Sequence, residues 1–534
     1  MPDLTPIPDI EGFSLAAGRR AMKGDLYRFA LDIAARNSPI TRYNETNVFV
    51  LTADLAAEVC DETRFEQSRI AALGRTEKHP QSNQTATLRG FLGDGLQSAF
   101  TDEPAWGRGH RILAEAFSPS SVNRHVDAIT DCCEELSSRL VSVDNGKDVE
   151  IPAMAAGLFF EIMARYAFSQ NMGSFYSDGP SEMIQTAKRV VHELVLRRLL
   201  PPAIMKFDLA GNRDINRDIA AMHAFADQIV AARRALGPGN EGDDLLGHML
   251  TTPDPETGEY LSDINIRYQL LTLLGAGQEG PHNMLSVALH VLATDPQLLT
   301  QVRTQLDEVL GEDARRLPTT EDLPKLTVLA GVVNETLRMY PSAVGFARSA
   351  REPTVVGGQY ELTPDTSVVV FMAQVHRDPA VWPDPDTFNA GRWTPEMQAA
   401  LPSGAFKPFG TGPRACIGRL LAMTEVQLAL ATLVHRFDLS PPSGELEFGL
   451  TLTLQPKPYT LRFTPRTDLR RVAAESPRSQ PLPAVAGPTS TAAPEAAAQA
   501  TADGAGADLA GSMVAPGATV SVWHASDGGT ALAL

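Results

Sequence analysis

The stretch Phe409-Gly410-Thr411-Gly412-Pro413-Arg414-Ala415-Cys416-Ile417-Gly418 constrains the fold of this chain more than any other. It sets one cysteine in a glycine-bounded loop directly before a helix-like run (Leu420, Leu421, Val426, Leu428). Gly412 lets the chain turn where a side chain would cost energy. A helix N-terminus behind Cys416 favours the thiolate. Arg414 brings fixed positive charge suited to an anionic group. Phe409 can shield the sulfur from water, and Gly418 lets the following helix approach closely. A lone cysteine is most simply a small core residue. These offsets together fit a thiolate ligand to haem iron, with Arg414 directed at a propionate. Such a ligand pushes electron density onto the metal and favours O–O cleavage.

Two further patterns accompany the loop. Glu335-Thr336-Leu337-Arg338 places an acid and a base three residues apart, on one helix face, and Pro341 then ends the helix. Arg392 lies in Phe388-Asn389-Ala390-Gly391-Arg392-Trp393. The cysteine loop resembles the haem-binding signature of the cytochrome P450 family, matching at every defining position, and the resemblance runs from about residue 5 to about residue 465. It implies a P450 fold, mainly α with small peripheral sheets, and haem b as cofactor. It implies Cys416 as the iron ligand, with Phe409, Gly412, Arg414 and Gly418 around it. It further implies that Trp106 and His110 reach the propionates, and that Glu335, Arg338 and Arg392 form a structural triad. Gly93-Asp94-Gly95-Leu96, Pro255-Glu256-Thr257-Gly258-Glu259 and Asn265-Ile266-Arg267-Tyr268-Gln269 are similar to bacterial self-sufficient fatty-acid hydroxylases, whose haem domain is fused to a diflavin reductase.

Composition narrows the class. The chain has 534 residues, 43% hydrophobic and 21% charged, as in ordinary soluble proteins. Its net charge of −18 argues against a nucleic-acid partner. Four cysteines give no disulfide framework and point to a reducing cytoplasm. Cys132 and Cys133 fall on a helix, and Cys60 reads as core. The N-terminus lacks an apolar signal core. The most apolar run, Ile151 to Phe160, ends at Glu161 and is too short to span a bilayer. A soluble, cytoplasmic protein without a membrane span is expected.

Periodicity predicts helices over 25–36, 54–62, 105–118, 121–141, 181–198, 211–235, 263–294, 296–310, 320–340 and 417–436. Strands are expected at Val48–Leu51, at Val355-Val356 and Ser367–Phe371 flanking a Gly357-Gly358 turn, and in a terminal hairpin of Leu450–Leu454 with Tyr459–Phe463 around Pro456. The haem domain should occupy 1–466. After about Arg471 the chain is rich in Ala, Pro, Gly, Ser and Thr, and 467–518 reads as a disordered linker. Residues 519–534 begin as a strand, Thr519 to Ala525, followed by a Ser/Thr/Gly loop able to cradle phosphate. This resembles the first strand and phosphate loop of the flavodoxin-like module that follows the linker in the self-sufficient relatives, or else it is a tail. So short a stretch cannot bind FMN, so neither FMN nor FAD is expected on this chain. Electrons should come from an external partner: a ferredoxin, a flavodoxin or a diflavin reductase.

The chain departs from the family in the helix that should cross the distal face of the haem. The family carries Ala/Gly-Gly-x-Asp/Glu-Thr there; this chain reads Ala276-Gly277-Gln278-Glu279-Gly280-Pro281. The acid is kept as Glu279, and the alcohol that helps deliver protons in relatives is replaced by Gly280. A water, the substrate's own hydroxyl or Gln278 would have to serve. Pro281 frees the Gly277 carbonyl, and Gly followed by Pro inside a helix costs about 4 kcal/mol, so a break is expected. The resemblance also implies a substrate pocket lined by Gln97, Ala343, Val344, Gly345 and Leu452. Asn47 and Leu51 stand where relatives hold a fatty-acid carboxylate with an arginine and a tyrosine.

The leading reading is a haem-thiolate monooxygenase that inserts one oxygen atom from O2 into a small organic substrate. A peroxide-driven peroxygenase, or a haem-thiolate isomerase or dehydratase, is the alternative that the missing alcohol suggests. A non-catalytic haem-binding remnant is the third.

Overall fold

The computed structural model describes residues 4–12, 25–68, 88–142, 145–175, 182–199, 209–450 and 453–466. Expectations for 467–518, 519–534 and Leu452 lie outside these residues. The described body is mainly helical with small sheets at its edge. Its main helices are α1 (Pro104–Ala116), α2 (Val126–Ser142), α3 (Ile151–Phe168), α4 (Asp263–Thr294), α5 (Thr327–Met339) and α6 (Arg419–Arg436). At the centre α4, 32 residues long, packs most extensively on α3 and also against α6 and α5. Its start is fixed by Ser262, whose hydroxyl accepts the Asn265 N–H.

Both α3 and α4 are apolar almost all round, as helices buried on every side must be. The apolar run at Ile151 does not stop at Glu161; the helix continues to Phe168. Glu161 is fully buried and neutralised by Arg165 at 2.8 Å, with the Met172 and Ser174 N–H groups donating to the same carboxylate. Ile151–Phe168 and the segment Gly412–Arg436 are long and apolar enough to cross a bilayer by length and composition, but 78% and 61% of their windows are buried inside the protein.

A five-stranded sheet joins the two ends of the domain. It contains β1 (Ile40–Arg42), β2 (Asn47–Val50), β3 (Phe65–Gln67), β4 (Phe346–Ala350) and β5 (Ser367–Val370), in the order β1-β2-β5-β4-β3. β2 and β5 pair in parallel, Asn47 opposite Ser367, and the other pairs are antiparallel.

Several elements differ from expectation. The helix over 121–141 is two helices, Pro119–Arg124 and α2, interrupted at His125. The one expected over 320–340 starts only at Thr327, after a 3-10 turn at Leu323–Lys325 in which Pro324 lacks an N–H. The Gly357-Gly358 turn joins Thr354–Val356 to Tyr360–Leu362, while Ser367–Val370 belongs to the large sheet. No terminal hairpin of the expected kind forms: Phe448–Leu450 pairs with Leu454–Pro456, Thr460–Leu461 with Val149–Glu150, and Phe463–Pro465 with Phe437–Leu439. Cys60 is half-buried at a helix end rather than in the core; Cys132 and Cys133 are buried on α2.

The expected break at Gly280-Pro281 is also absent; α4 runs through both. Beyond Pro281 the helix buries Met284, Leu285, Val287, Leu289 and Leu292. At about 1.5–3 kcal/mol per buried side chain, these outweigh a penalty of about 4 kcal/mol.

Near the C-terminus of α5, Glu335 and Arg338 are both fully buried. Arg338 donates to the carboxylate through Nε at 2.8 Å and Nη2 at 2.9 Å; Arg392 Nε adds a third bond at 3.2 Å. The Asn389 N–H and Trp393 Nε1 complete the set at 2.9 and 3.0 Å. Arg338 also donates to the carbonyls of His376, Pro385 and Thr387. His376 Nδ1 donates to the Arg338 carbonyl, and its Nε2 accepts the Lys407 N–H at 3.1 Å, two residues before Phe409. The network thus runs from α5 to the start of the cysteine loop.

Glu335→Gln should destabilise the fold by about 3–5 kcal/mol, because Arg338 keeps a buried charge without its counter-ion; thermal melts of matched preparations check this. His376 and His282 must stay neutral in the fold: burial lowers their pKa values to about 3 and about 4. The unfolded chain protonates both from about pH 6.5 downward, so folding stability falls as the pH drops, by up to about 1.4 kcal/mol per unit for each histidine. Unfolding free energies from urea titrations near neutrality and about two pH units below should differ by about 3–4 kcal/mol.

Candidate active site

The cysteine loop is shaped by backbone bonds. The Phe409 carbonyl accepts the Cys416 N–H at 2.8 Å, the Gly412 carbonyl accepts the Ala415 N–H at 3.0 Å, and the Lys407 carbonyl accepts the Gly410 N–H at 3.0 Å. Gly412 has φ +62°, and a Cβ there would lie 1.9 Å from Glu62 Oε1, which Arg348 holds at 2.8 Å. The close approach expected at Gly418 is to no described protein atom; a Cβ there would meet Phe117 at an ordinary 3.9 Å.

The Cys416 side chain is exposed, yet burial in the surrounding protein pushes its thiol pKa up, while the Gly418 N–H and Arg419 pull it back down. The helix start therefore acts as expected but does not win against desolvation. Cys416 thus keeps an exposed face within a protein-rich surrounding. There a metal is the partner that would keep it deprotonated.

Arg414 does not meet an acid. Its Nη1 donates to the Ala99 carbonyl at 3.0 Å and its Nη2 to the Gln97 carbonyl at 3.3 Å. The guanidinium lies 5.4 Å from the Trp106 ring centre, and Trp106 stacks on His110 at 4.8 Å. Burial lowers the Arg414 pKa to about 10, and lowers that of His110 with help from Arg414 and Arg111. Among the described residues neither Trp106 nor His110 has a hydrogen-bond acceptor. A desolvated cation beside two such donors fits the carboxylates of a haem, and the free face of Cys416 fits its iron. The residues present therefore suit the group.

On α4, Ala276 is exposed and a Cβ at Gly280 would meet no heavy atom within 4 Å, so this flank faces open space. Gln278 is not on it. Two residues from Gly280 is about 200° round a helix; Gln278 is buried, and its Oε1 has no partner among the described residues. It cannot replace the missing alcohol from there. Glu279 accepts a hydrogen bond from Thr453 Oγ1 at 3.0 Å, and burial raises its carboxyl pKa against the pull of Thr453. Ser342 Oγ donates to the Gly280 carbonyl at 3.4 Å, and its own carbonyl accepts the Leu454 N–H at 2.8 Å.

The substrate-side expectations divide. Ala343 is exposed and Val344 half-buried. Gly345 is small for another reason than room: a Cβ would lie 2.7 Å from the Val370 carbonyl oxygen of β5. Gln97 is exposed, and its backbone carbonyl rather than its amide makes the contact with Arg414. Asn47 is buried and bonded to Asn44 and Thr46, and Leu51 is buried in the core. Neither stands ready for a carboxylate. Sequence reasoning missed Thr453, Asn389, Trp393 and His376. Only Asn389 and Trp393 carried a signal, by flanking Arg392.

The family model "Cytochrome P450" matches residues 66–463. The chain is 33% identical over 444 residues to a bifunctional cytochrome P450/NADPH–P450 reductase of Bacillus cereus, covering 82% of this chain and 40% of that one. It is 32% identical over 500 residues to a self-sufficient cytochrome P450 monooxygenase of Penicillium freii, covering 93% and 45%. The chain thus spans less than half the length of these curated relatives. Among solved structures, the cytochrome P450DA heme domain superposes with a TM-score of 0.78 at 31% identity, covering 87% of this chain and 99% of that one.

Gly412→Ala should destabilise the loop by about 1–2 kcal/mol for the left-handed backbone alone, with a further cost to part Glu62 from Arg348. A melting temperature below that of the parent, with less haem retained on gel filtration, is the expected result.

Proposed function

The chain belongs to the cytochrome P450 family, and from that premise we propose that it is the haem domain of a monooxygenase that inserts one oxygen atom from O2 into a small organic substrate. The observation that carries the reading is the cysteine loop: an exposed cysteine beside a half-buried arginine that meets no acid among the described residues. Bound through Cys416, the haem supplies the oxygen chemistry, which thiolate donation drives toward O–O cleavage. Trp106, His110 and Arg414 hold its carboxylates, and Phe409 and the Gly418 N–H temper the sulfur. Ala343 and Val344 line the space for an apolar substrate.

Proton delivery falls to Glu279. Burial raises its pKa toward the range where a carboxyl can both hold and give a proton, and Thr453 orients it. Electrons come from an external donor of ferredoxin, flavodoxin or diflavin-reductase type. The diflavin type is favoured because the Bacillus relatives are themselves joined to an NADPH–P450 reductase. The haem domain is taken to occupy 1–466, around the family match at 66–463. A cytoplasmic location suits this reading. The complete Glu335 network and cysteine loop speak against a non-catalytic remnant.

The test is spectroscopic, then catalytic. Reduced, carbon-monoxide-treated protein should show the red-shifted Soret band of a thiolate ligand, and Cys416→Ala should lose it. With NADPH and a diflavin reductase, a compound that shifts the resting Soret band should gain oxygen from isotopically labelled O2; label taken only from peroxide would favour the peroxygenase instead. Gly280→Thr has room for its side chain and should raise product formed per NADPH. An unchanged ratio would show that Glu279 and Thr453 already suffice.

A further inference from the structure

The three stretches Gly93–Leu96, Pro255–Glu259 and Asn265–Gln269 have no part in the chemistry above, yet the structure seats the first on the third and pairs Glu256 of the second with Arg111 of α1. Residues 265, 268, 269 and 272 recur on one face of α4, and the 93–99 loop is seated on that face. Asn265 Nδ2 donates to Asp94 Oδ1 at 2.8 Å. Gly93 has φ +48°, and a Cβ there would fall 2.1 Å from the Tyr268 ring; one at Gly95 would fall 2.9 Å from Thr272 Oγ1.

Gln269 is the centre of the contact. It is fully buried; its Oε1 accepts the Leu96 N–H at 3.0 Å and its Nε2 donates to Asn265 Oδ1 at 3.0 Å. The same amide presses on α1, where a Cβ at Gly109, beside His110, would lie 2.8 Å from Nε2. The far side of α1 is held by Arg111, which grips the buried carboxylate of Asp254 at 2.7 and 2.6 Å. The loop that Gln269 fixes carries the Gln97 and Ala99 carbonyls that hold Arg414, and the helix it touches carries Trp106 and His110.

We propose that Gln269 is a positioning residue for the haem: it locks the 93–99 loop so that the Arg414 guanidinium stands in place before the haem carboxylates arrive. This rests on the haem-domain reading above. Preorganisation of this kind raises affinity because little ordering is left for the binding step.

The measurement is the rate at which ferric haem leaves the full-length holoprotein for excess apomyoglobin, a readout independent of turnover. Gln269→Met keeps shape and removes the acceptor, leaving a buried N–H unpaired, and should release haem roughly tenfold faster. Arg414→Gln should also speed release, and Gln269→Met should add little in that background, since both act on one contact. Unchanged release by Gln269→Met with a lower melting temperature would overturn the proposal and leave a purely structural residue, and so would additive effects in the double variant. Should Gln269→Met not accumulate, Asn265→Ala loosens the same lock without stranding the Leu96 N–H; release at the parent rate would then overturn it. A parent protein that takes up no haem would refute the family reading of the site, whereas a haem-loaded parent with an indifferent Gln269 refutes only this inference.

Discussion

One buried carboxylate organises the path from the helical body to the cysteine. Glu335 accepts five hydrogen bonds, from Arg338 twice, Arg392, Trp393 and the Asn389 backbone. An ion in the interior is costly unless every lone pair is used and its counter-ion is close. Here both conditions hold, so the segment from 384 to 393 has one way to lie against α5. His376 extends the order to Lys407, whose carbonyl then closes the turn at Gly410. The geometry of Cys416 is therefore set by groups that never approach it. Such a network contributes specificity more than net stability, because an apolar replacement of equal volume would pack as well but would not dictate this path.

Charge is handled in the opposite way at the site itself. Where Glu335 is over-supplied with donors, Arg414 is left with two carbonyls and an aromatic face. Desolvation lowers its pKa and raises that of Cys416. Desolvation thus disfavours the charged form of each, two residues apart in one loop. A ligand with anionic arms and a cationic centre relieves both at once. That complementarity is a stronger reason to place haem here than either residue alone, since a lone arginine or a lone cysteine has many ordinary explanations.

The sequence was most legible where the signal is local. The cysteine loop, the Glu335–Arg338 spacing and the long apolar helices could be read because their partners lie within a few residues. Reading failed where the partner is distant. Thr460–Leu461 pairs with Val149–Glu150 across some three hundred residues, and no turn signal announces that. The Gly357-Gly358 turn was recognised, but its second strand was misassigned because the nearer strand is short and less apolar. Propensity pointed to a break at Gly280-Pro281, yet the helix runs through it, with the turns beyond buried. At the site, Trp106, His110 and Arg414 came from resemblance and spacing. Thr453 was invisible, since its contact with Glu279 joins two segments 174 residues apart. Gln278 was overvalued because a neighbour in sequence is not a neighbour round a helix.

The distal helix shows what the loss of the alcohol changes. A hydroxyl at position 280 would point from the helix into the open space beside Ala276, carrying its proton on the same flank as the chemistry. This chain leaves that flank bare and keeps hydroxyls behind it: Thr453 on the Glu279 carboxylate and Ser342 on the Gly280 carbonyl. Both come from segments outside α4, and both meet at Leu454, whose N–H bonds to the Ser342 carbonyl and whose carbonyl accepts from Asn283. On the proposed reading, proton handling would fall to a junction of three segments rather than to one side chain on the helix. A single side chain can be tuned by its rotamer alone, whereas a junction answers to anything that shifts its segments, including a substrate resting on Ala343 beside Ser342.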